Sequence, residues 1–188
     1  HVVRGQILAP TISETRGNQD FSTHIEQTVA TDPTASWVFV LDNLNTHCGE
    51  PLVRLVADQL GTDQATLGAP KQEGVLNTME TRRAFLSDPS HRIRFVYLPK
   101  HSSWLNQIEI IFGVINRRVM RRGSFTSKLD LIEKLKRFIN YFNETIAQPM
   151  NWTYTGRPTH NAPKQRPRTW RKLRQDEKPW KKLALVGT

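Results

Sequence analysis

The chain alternates between short apolar runs and longer stretches in which apolar residues recur every three or four positions. Short runs at residues 2–8, 37–41 and 93–98 predict three strands. The run at 37–41 is continuously apolar, which is typical of a strand covered on both faces. The helical stretches between and after these runs give the order strand, helix, strand, helix, strand, helix, helix. That order predicts an α/β fold.

Residues with strong preferences for helix ends define the first two helices. Asp20 precedes a helical stretch at residues 21–30, and its carboxylate can accept hydrogen bonds from the free amides of the first turn. Pro51 lies where a helix favours a first-turn proline, and Gly61 marks the end of that helix. Both helices are therefore predicted with defined ends.

The stretch at residues 62–90 is dominated by Gly, Pro and polar residues. We expect an insertion or a long loop there, with a short helix at 78–86. Ser127 opens the last helix, and Asp130 lies at its capping-box position. Beyond Trp152 the chain is basic and rich in proline, so we expect it not to pack.

The helix after the third strand carries the most informative acidic residue. It begins at Ser102 or Ser103 and ends at Gly123. Its apolar face comprises Leu105, Ile108, Phe112, Ile115 and Val119. Glu109 lies at the rim of this face, where a carboxylate is costly unless a cation receives it. Glu109 is therefore either a core-edge residue paired with an arginine or a metal ligand.

Two carboxylates are expected to meet at one edge of the sheet. Asp42 directly follows the second strand, and Glu109 lies on the helix after the third. In α/β sheets, reactive groups lie in the crevice at the carboxyl ends of the strands. Such a pair suits Mg²⁺ or Mn²⁺ acting on phosphodiesters, because hard cations prefer oxygen ligands. Each residue alone also has a structural interpretation, since Asp42 can cap a helix and His47 can begin one.

Positive charge concentrates at the carboxyl end of the chain. The 188 residues carry a net charge of +10, and residues 157–188 contain ten Lys and Arg against Asp176 and Glu177. Such an arm suits a polyanion such as DNA, because each neutralised phosphate releases counterions. A solvated terminus without a partner is the alternative. The DNA-binding candidates are Arg117, Arg118, Arg121, Arg122, Arg166, Arg168, Arg171 and Lys172.

Two stretches together are far more specific than any single residue. They are residues 42–47 (DNLNTH) and residues 99–109 (PKHSSWLNQIE). With residues 121–127 (RRGSFTS), Asn143 and Trp152, they closely resemble the bacterial insertion-sequence branch of the mariner-related DDE transposases. The resemblance covers most of the chain before its basic tail.

The resemblance implies an RNase H-like mixed sheet flanked by helices, with cleavage and transfer of DNA strands by Mg²⁺ or Mn²⁺. Asp42 corresponds to the second acid of the family's catalytic triad, and Glu109 corresponds to the third. The positions that shape the site are Asn43, His47, Ser103, Trp104 and Asn106. Terminal inverted repeats and target DNA are the implied partners, and the complete protein is implied to be a homodimer.

The first acid of the resembled family has no counterpart in this chain. It lies on the first, central strand, whereas residues 2–8 look like the third strand of that fold. Glu14, Asp20 and Asp32 match no such motif, so the first strands and the first acid are expected to precede His1. This chain alone is therefore expected to be inactive.

The spacing of the other two acids also departs from the family. Between Asp42 and Glu109 lie 66 residues, which is wider than the mariner-type spacing. The insertion at about 62–90 accounts for the excess. The chain then divides into a catalytic domain at residues 1–156 and a basic tail at residues 157–188, which is expected to be disordered.

These features lead us to expect a transposase catalytic domain without a membrane span, in the bacterial cytoplasm and associated with the nucleoid. The single cysteine, Cys48, fits a reducing compartment. Two alternatives stay open. One is a non-catalytic remnant that keeps only DNA binding, and the other is an unrelated metal-dependent phosphate enzyme. Residues 103–106 (SWLN) argue against the latter.

Overall fold

A computed structural model describes residues 1–99, 106–149 and 184–186, the last three as backbone only. The helices are α1 (Asn18–Ala30), α2 (Glu50–Leu60), α3 (Met79–Leu86), α4 (Ile108–Ile115) and α5 (Lys128–Tyr141). The strands are β1 (Thr11–Ser13), β2 (Trp37–Leu41), β3 (Ile93–Tyr97) and β4 (Ala184–Val186). The predicted mixture of helices and strands is confirmed. Within these residues no helix is both long enough and apolar enough to cross a membrane.

The second and third predicted strands are confirmed as β2 and β3, which pair in parallel. Their buried side chains are Phe39, Leu41, Ile93 and Phe95. These side chains pack with α1, α2 and α3 in one apolar core, which we call the sheet cluster. Because the strands are parallel and in register, their carboxyl ends lie side by side.

The opposite face of this sheet is open among the described residues. Val38, Val40 and Val96 are 50%, 42% and 44% exposed. The expectation that β2 is covered on both faces is therefore wrong for the part of the chain that is described. A continuous apolar run shows that both faces can be buried, but it does not supply the second layer.

The strand predicted at residues 2–8 is wrong. This segment forms a turn followed by irregular backbone. Gly5 interrupts it, because its φ of +64° is left-handed and a Cβ there would overlap the backbone of Gln148. The strand β1 comes later and pairs antiparallel with β4. The expectation that nothing packs beyond Trp152 is thereby corrected for residues 184–186, whereas the other residues of the tail lie outside the described part.

Both predicted amino-terminal helices are present. The first, α1, begins three residues earlier than predicted, with Gly17 as its N-cap. Asp20 caps it from inside the first turn, accepting hydrogen bonds from the Gly17 amide and the Thr15 hydroxyl, each at 2.7 Å. The second, α2, has Pro51 in its first turn and a left-handed Gly61 after its last residue, as predicted.

Residues 62–90 form a packed part of the sheet cluster and are not an open loop. A 3₁₀ turn at Gln64–Leu67 leads through a glycine-containing segment to α3, which confirms the predicted short helix and is capped by the Thr78 hydroxyl. Leu67, Leu76 and Leu86 have exposures of 1% or less. Their burial makes this segment part of the core that supports α1 and α2.

The helices α4 and α5 form a second apolar core, which we call the helix-pair cluster. Each helix continues into a π-helical turn, at Asn116–Met120 and at Phe142–Ile146 respectively. Ser127 caps α5 as predicted, accepting from the Asp130 amide at 3.1 Å. In a capping box the Asp130 carboxylate would accept from the amide of the N-cap, Ser127. Here it accepts from the amide of the preceding residue, Thr126, at 2.9 Å.

Candidate functional site at the carboxyl end of the parallel sheet

Asp42 lies where the sequence placed it, directly after the last residue of β2. Leu41 is fully buried and pairs with Tyr97 of β3, and its carbonyl accepts from the Leu98 amide at 2.8 Å. The chain therefore leaves the core at Asp42, beside the end of the neighbouring strand. A polar side chain at this point reaches solvent without disturbing the packed face of the sheet.

One oxygen of the Asp42 carboxylate is held in place by local contacts. Its Oδ1 accepts from the Leu44 amide at 3.0 Å and lies 2.8 Å from His47 Nδ1. No described residue donates a hydrogen bond to Oδ2, and the side chain is 38% exposed. Asp42 therefore presents one oriented oxygen to its own loop and a second oxygen that has no hydrogen-bond donor among the described residues.

His47 positions Asp42 from a buried site. It lies in the 3₁₀ turn Asn45–Cys48, and its ring packs on Phe21 of α1 with centroids 4.4 Å apart. Burial lowers the pKa of His47, although the charge and hydrogen bonds of Asp42 oppose that shift. A neutral His47 donates its Nδ1 proton to Asp42. The Tyr97 hydroxyl donates to the His47 carbonyl at 2.8 Å, which fixes the turn to β3.

The other predicted site-shaping residues fall into two groups. Asn43 donates from its side-chain amide to the Leu98 carbonyl and so joins the ends of β2 and β3. Asn106 precedes α4, and its Oδ1 accepts from the Ile108 amide at 3.3 Å. Ser103 and Trp104 lie outside the described residues.

Glu109 lies in the first turn of α4, where a carboxylate suits the helix dipole. It is exposed, whereas Ile111, Ile115 and Val119 of the same helical segment are buried. The predicted apolar face is largely confirmed, because Ile115 and Val119 are buried and Ile108 and Phe112 pack half-buried against the same cluster. Ile111, which was not predicted, joins this face. Among the described residues no arginine or lysine lies within ion-pair distance of Glu109, so the core-edge pairing with an arginine finds no support there. The predicted helix starts at Ser102 and Ser103 lie outside the described part.

The two acids belong to different packed cores. Asp42 follows β2 of the sheet cluster, and Glu109 lies on α4 of the helix-pair cluster. Within the described ranges no three His, Cys, Asp or Glu side chains are grouped closely enough to hold a metal ion. A metal shared by Asp42 and Glu109 therefore stays a prediction. One feature of the described residues suits a hard cation. Each of these two carboxylates has an oxygen without a partner among those residues.

Four arginines follow α4, in its π-helical turn and in the loop after it, and we call this stretch the end of the α4 segment. All four are exposed, as DNA-binding candidates should be. They are Arg117, Arg118, Arg121 and Arg122. Sequence reasoning missed Lys134 and Arg137 of α5, which line a groove together with two of these arginines. Their spacing of three residues, which places them on one helical face, was the signal available in the sequence. Sequence reasoning also gave His47 no chemical role. Its spacing of five residues from Asp42 allows the contact between the two side chains.

A family of proteins described as DDE superfamily endonuclease matches residues 2–132. The chain belongs to this family. The match includes both Asp42 and Glu109 and ends within α5. Comparison with curated proteins gave no match, and neither did comparison with solved structures. Membership in the DDE endonuclease family indicates a nuclease of the transposase type with DNA as its substrate, in a family that generally uses divalent metals.

Proposed function

We propose that this DDE endonuclease chain is the catalytic domain of a transposase from the mariner-related bacterial insertion-sequence branch. It cuts DNA at terminal inverted repeats and joins the ends to a target. Residues 42–47 and 99–109 support the branch. The parallel pair β2 and β3, with Asp42 at its carboxyl end, fits part of an RNase H-like sheet. The complete protein acts as a homodimer on DNA.

The observation that carries this proposal is the environment of Asp42. His47 and the Leu44 amide orient one carboxylate oxygen, and the other, which has no donor among residues 1–99 and 106–149, can bind a cation. Glu109 supplies a second exposed carboxylate without a described ion-pair partner. Oxygen ligands of this kind suit Mg²⁺ or Mn²⁺. The bound cation supplies stabilisation of the charge that develops during phosphodiester displacement.

None of the described acids before β2 is suited to be the first acid of the proposed triad. Three of the acids before β2 have local roles: Glu14 pairs with Lys128, Asp20 caps α1 and Asp32 caps a turn. Glu26, which sequence reasoning passed over, is exposed on α1. We therefore propose that the chain does not cut DNA unless a further carboxylate joins Asp42 and Glu109.

A nicking assay on matching terminal-repeat DNA with Mg²⁺ or Mn²⁺ tests this function. We expect cleavage by a version extended upstream to include the missing acid and none by the 188-residue chain. In the extended version, Asp42→Asn and Glu109→Gln should each abolish cleavage and leave DNA binding intact, because they remove metal ligands and no DNA-binding cation. The matched control Glu26→Gln, which removes an exposed acid of α1, should cut normally.

The possible outcomes separate the competing functions. Cleavage retained in Asp42→Asn would mean that the acids are wrongly assigned. Cleavage by the 188-residue chain at a rate comparable to the extended one would mean that an acid within residues 1–41 completes the site. DNA binding without cleavage by either version would identify the chain as a non-catalytic remnant.

A further inference from the structure

A groove of about 440 Å³ lies between the basic end of the α4 segment and the outer side of α5. It is distinct from the site at Asp42, because its walls come from the π-helical turn, the following loop and α5. Gly123 makes the approach possible. A Cβ there would overlap the Phe125 ring and the Val119 carbonyl, so only glycine allows the loop to fold this closely onto the helix end.

The inside of the groove is aromatic. Phe125, Phe138 and Tyr141 contribute rings to it, and its surface is almost entirely apolar. Phe125 and Phe138 are half-buried against the helix-pair cluster, whereas Tyr141 is 51% exposed and lies outside the packed core. A ring that is open to solvent at the end of α5 gains burial when a flat apolar ligand stacks on it.

The rim of the groove is cationic. Arg118 and Arg122 lie one turn apart on the α4 side, and Arg137 faces them from α5. All three are exposed, and no described carboxylate lies within ion-pair distance of them. Lys134 is engaged differently, since its ammonium pairs with Asp130 at 2.9 Å and lies 5.6 Å from the centre of the Phe125 ring. Around an aromatic floor, three guanidinium groups therefore have no acidic partner in the part of the chain that the structure describes.

We propose that this groove binds one unstacked base of a DNA strand together with its flanking phosphates. A base has the planar apolar face that stacks on Tyr141, and adjacent phosphates pair with Arg118, Arg122 and Arg137. A base inside a duplex is stacked on both faces and cannot enter. The groove thus selects single-stranded DNA or a base displaced from a duplex, and the choice of polymer rests on the proposed function.

Base stacking is tested with a single-stranded oligothymidine of about ten nucleotides and an abasic strand of equal length. Binding of each to the full chain is measured by fluorescence anisotropy. Tyr141→Ala should weaken binding of the oligothymidine about tenfold and that of the abasic strand less than about twofold, whereas Tyr141→Phe should restore it. Because Trp170 and Trp180 of the tail are unchanged in these variants, any stacking on them is common to all.

The cationic rim is tested on α5 with a matched pair of variants. Arg137 lines the groove, whereas Lys136 is an exposed cation of the same helix that does not. Arg137→Ala should reduce the slope of log affinity against log salt by about 0.7 for the oligothymidine, which corresponds to one lost phosphate contact. Lys136→Ala should leave the slope unchanged.

Three results would overturn the groove proposal. Tyr141→Ala could weaken both strands equally, the two cation variants could lose equal slope, or polyglutamate could displace oligothymidine as effectively as unlabelled oligothymidine does. The last result would identify an acidic-peptide site. All of these are binding measurements without metal. Their results therefore do not depend on the outcome of the cleavage assays at Asp42 and Glu109.

Discussion

At the scale of single residues, His24 couples the first strand to the first helix. It lies in α1 with 4% of its surface exposed, and its Nδ1 is 2.9 Å from the Thr11 hydroxyl of β1. Burial lowers the pKa of His24 to about 4, although a hydrogen bond with the Ala9 backbone opposes the shift. The ring is therefore neutral in the folded chain at neutral pH.

His24 should make the protein less stable as the pH falls. The unfolded chain binds a proton at this residue below about pH 6.5, whereas the folded chain does so only near pH 4. Folding stability is therefore lost between these values, by about 2 kcal/mol from pH 7 to pH 4.5. Urea unfolding at a series of pH values measures this loss.

The variant His24→Gln identifies the source of this pH dependence. It should flatten the curve of unfolding free energy against pH without abolishing the slope, because burial also lowers the pKa of His47. A curve as steep as that of the unsubstituted chain would show that His24 does not carry the effect.

Residues whose roles are local could be predicted from the sequence, and those whose partners are distant could not. Gly61 and Ser127 act within their own helix ends, so their residue type and position were enough. Asn143 donates to the Ile7 carbonyl and accepts from the Ile7 amide, each at 2.8 Å, across 136 residues. No pattern along the chain encodes such a pair, because it exists only after the helix-pair cluster has packed.

At the scale of elements, residues 62–90 owe their packed shape to two glycines. Gly68 has φ +72° and ψ −156°, a region almost restricted to glycine, and Gly74 has φ +117°. Added Cβ atoms would overlap the carbonyls of Glu73 and Leu67 respectively. The close backbone approach brings Leu67 and Leu76 together, joined by a hydrogen bond of 2.9 Å from the Leu76 amide.

Replacing Gly68 should cost far more stability than replacing Gly61. Gly61 is also left-handed, but a Cβ there meets nothing within 4 Å. Gly61→Ala should therefore cost about 1 kcal/mol from backbone strain alone, whereas Gly68→Ala should cost about 2–4 kcal/mol because overlap is added. Chemical unfolding of the two variants measures both values. Equal losses would mean that residues 62–90 form an unpacked loop after all.

The elements that sequence periodicity predicted correctly are those that bury a full face. The strands β2 and β3 are short apolar runs, and the helices α2 and α5 carry apolar residues at a helical period; all four were predicted. The three-residue strand β1 carries no such pattern, because its position depends on pairing with β4 near the other end of the chain. Residues 2–8 looked like a strand by composition, but Gly5 turns the backbone there.

At the scale of the whole molecule, the proposed catalytic acids lie on two separate cores. The motifs around Asp42 and Glu109 pointed to the DDE endonuclease family because their residue types and order are specific. Neither motif could reveal that one acid is held by the sheet cluster and the other by the helix-pair cluster. A metal shared by both acids would therefore bridge the two cores and would stabilise the folded chain through its affinity for that state.

The basic tail offers a test of how the chain as a whole engages DNA. Residues 184–186 pair with β1, so deletion of residues 157–188 would remove a strand along with the positive charges. Substitution of the cations alone removes charge and keeps the strand. The chosen positions are Arg166, Arg168, Arg171 and Lys172, all replaced by Gln in one variant.

The quadruple variant should bind duplex DNA with a weaker dependence on salt. Each cation that neutralises a phosphate contributes about 0.9 to the slope of log affinity against log salt, so four contacts predict a decrease of up to about 3.6. Affinity should fall equally for unrelated sequences, because phosphate contacts do not read bases. A matched variant with Lys136→Gln, an exposed cation of α5, controls for charge in general. If the quadruple variant keeps the slope of the unsubstituted chain, the tail cations do not contact DNA and the affinity resides in the body of the molecule.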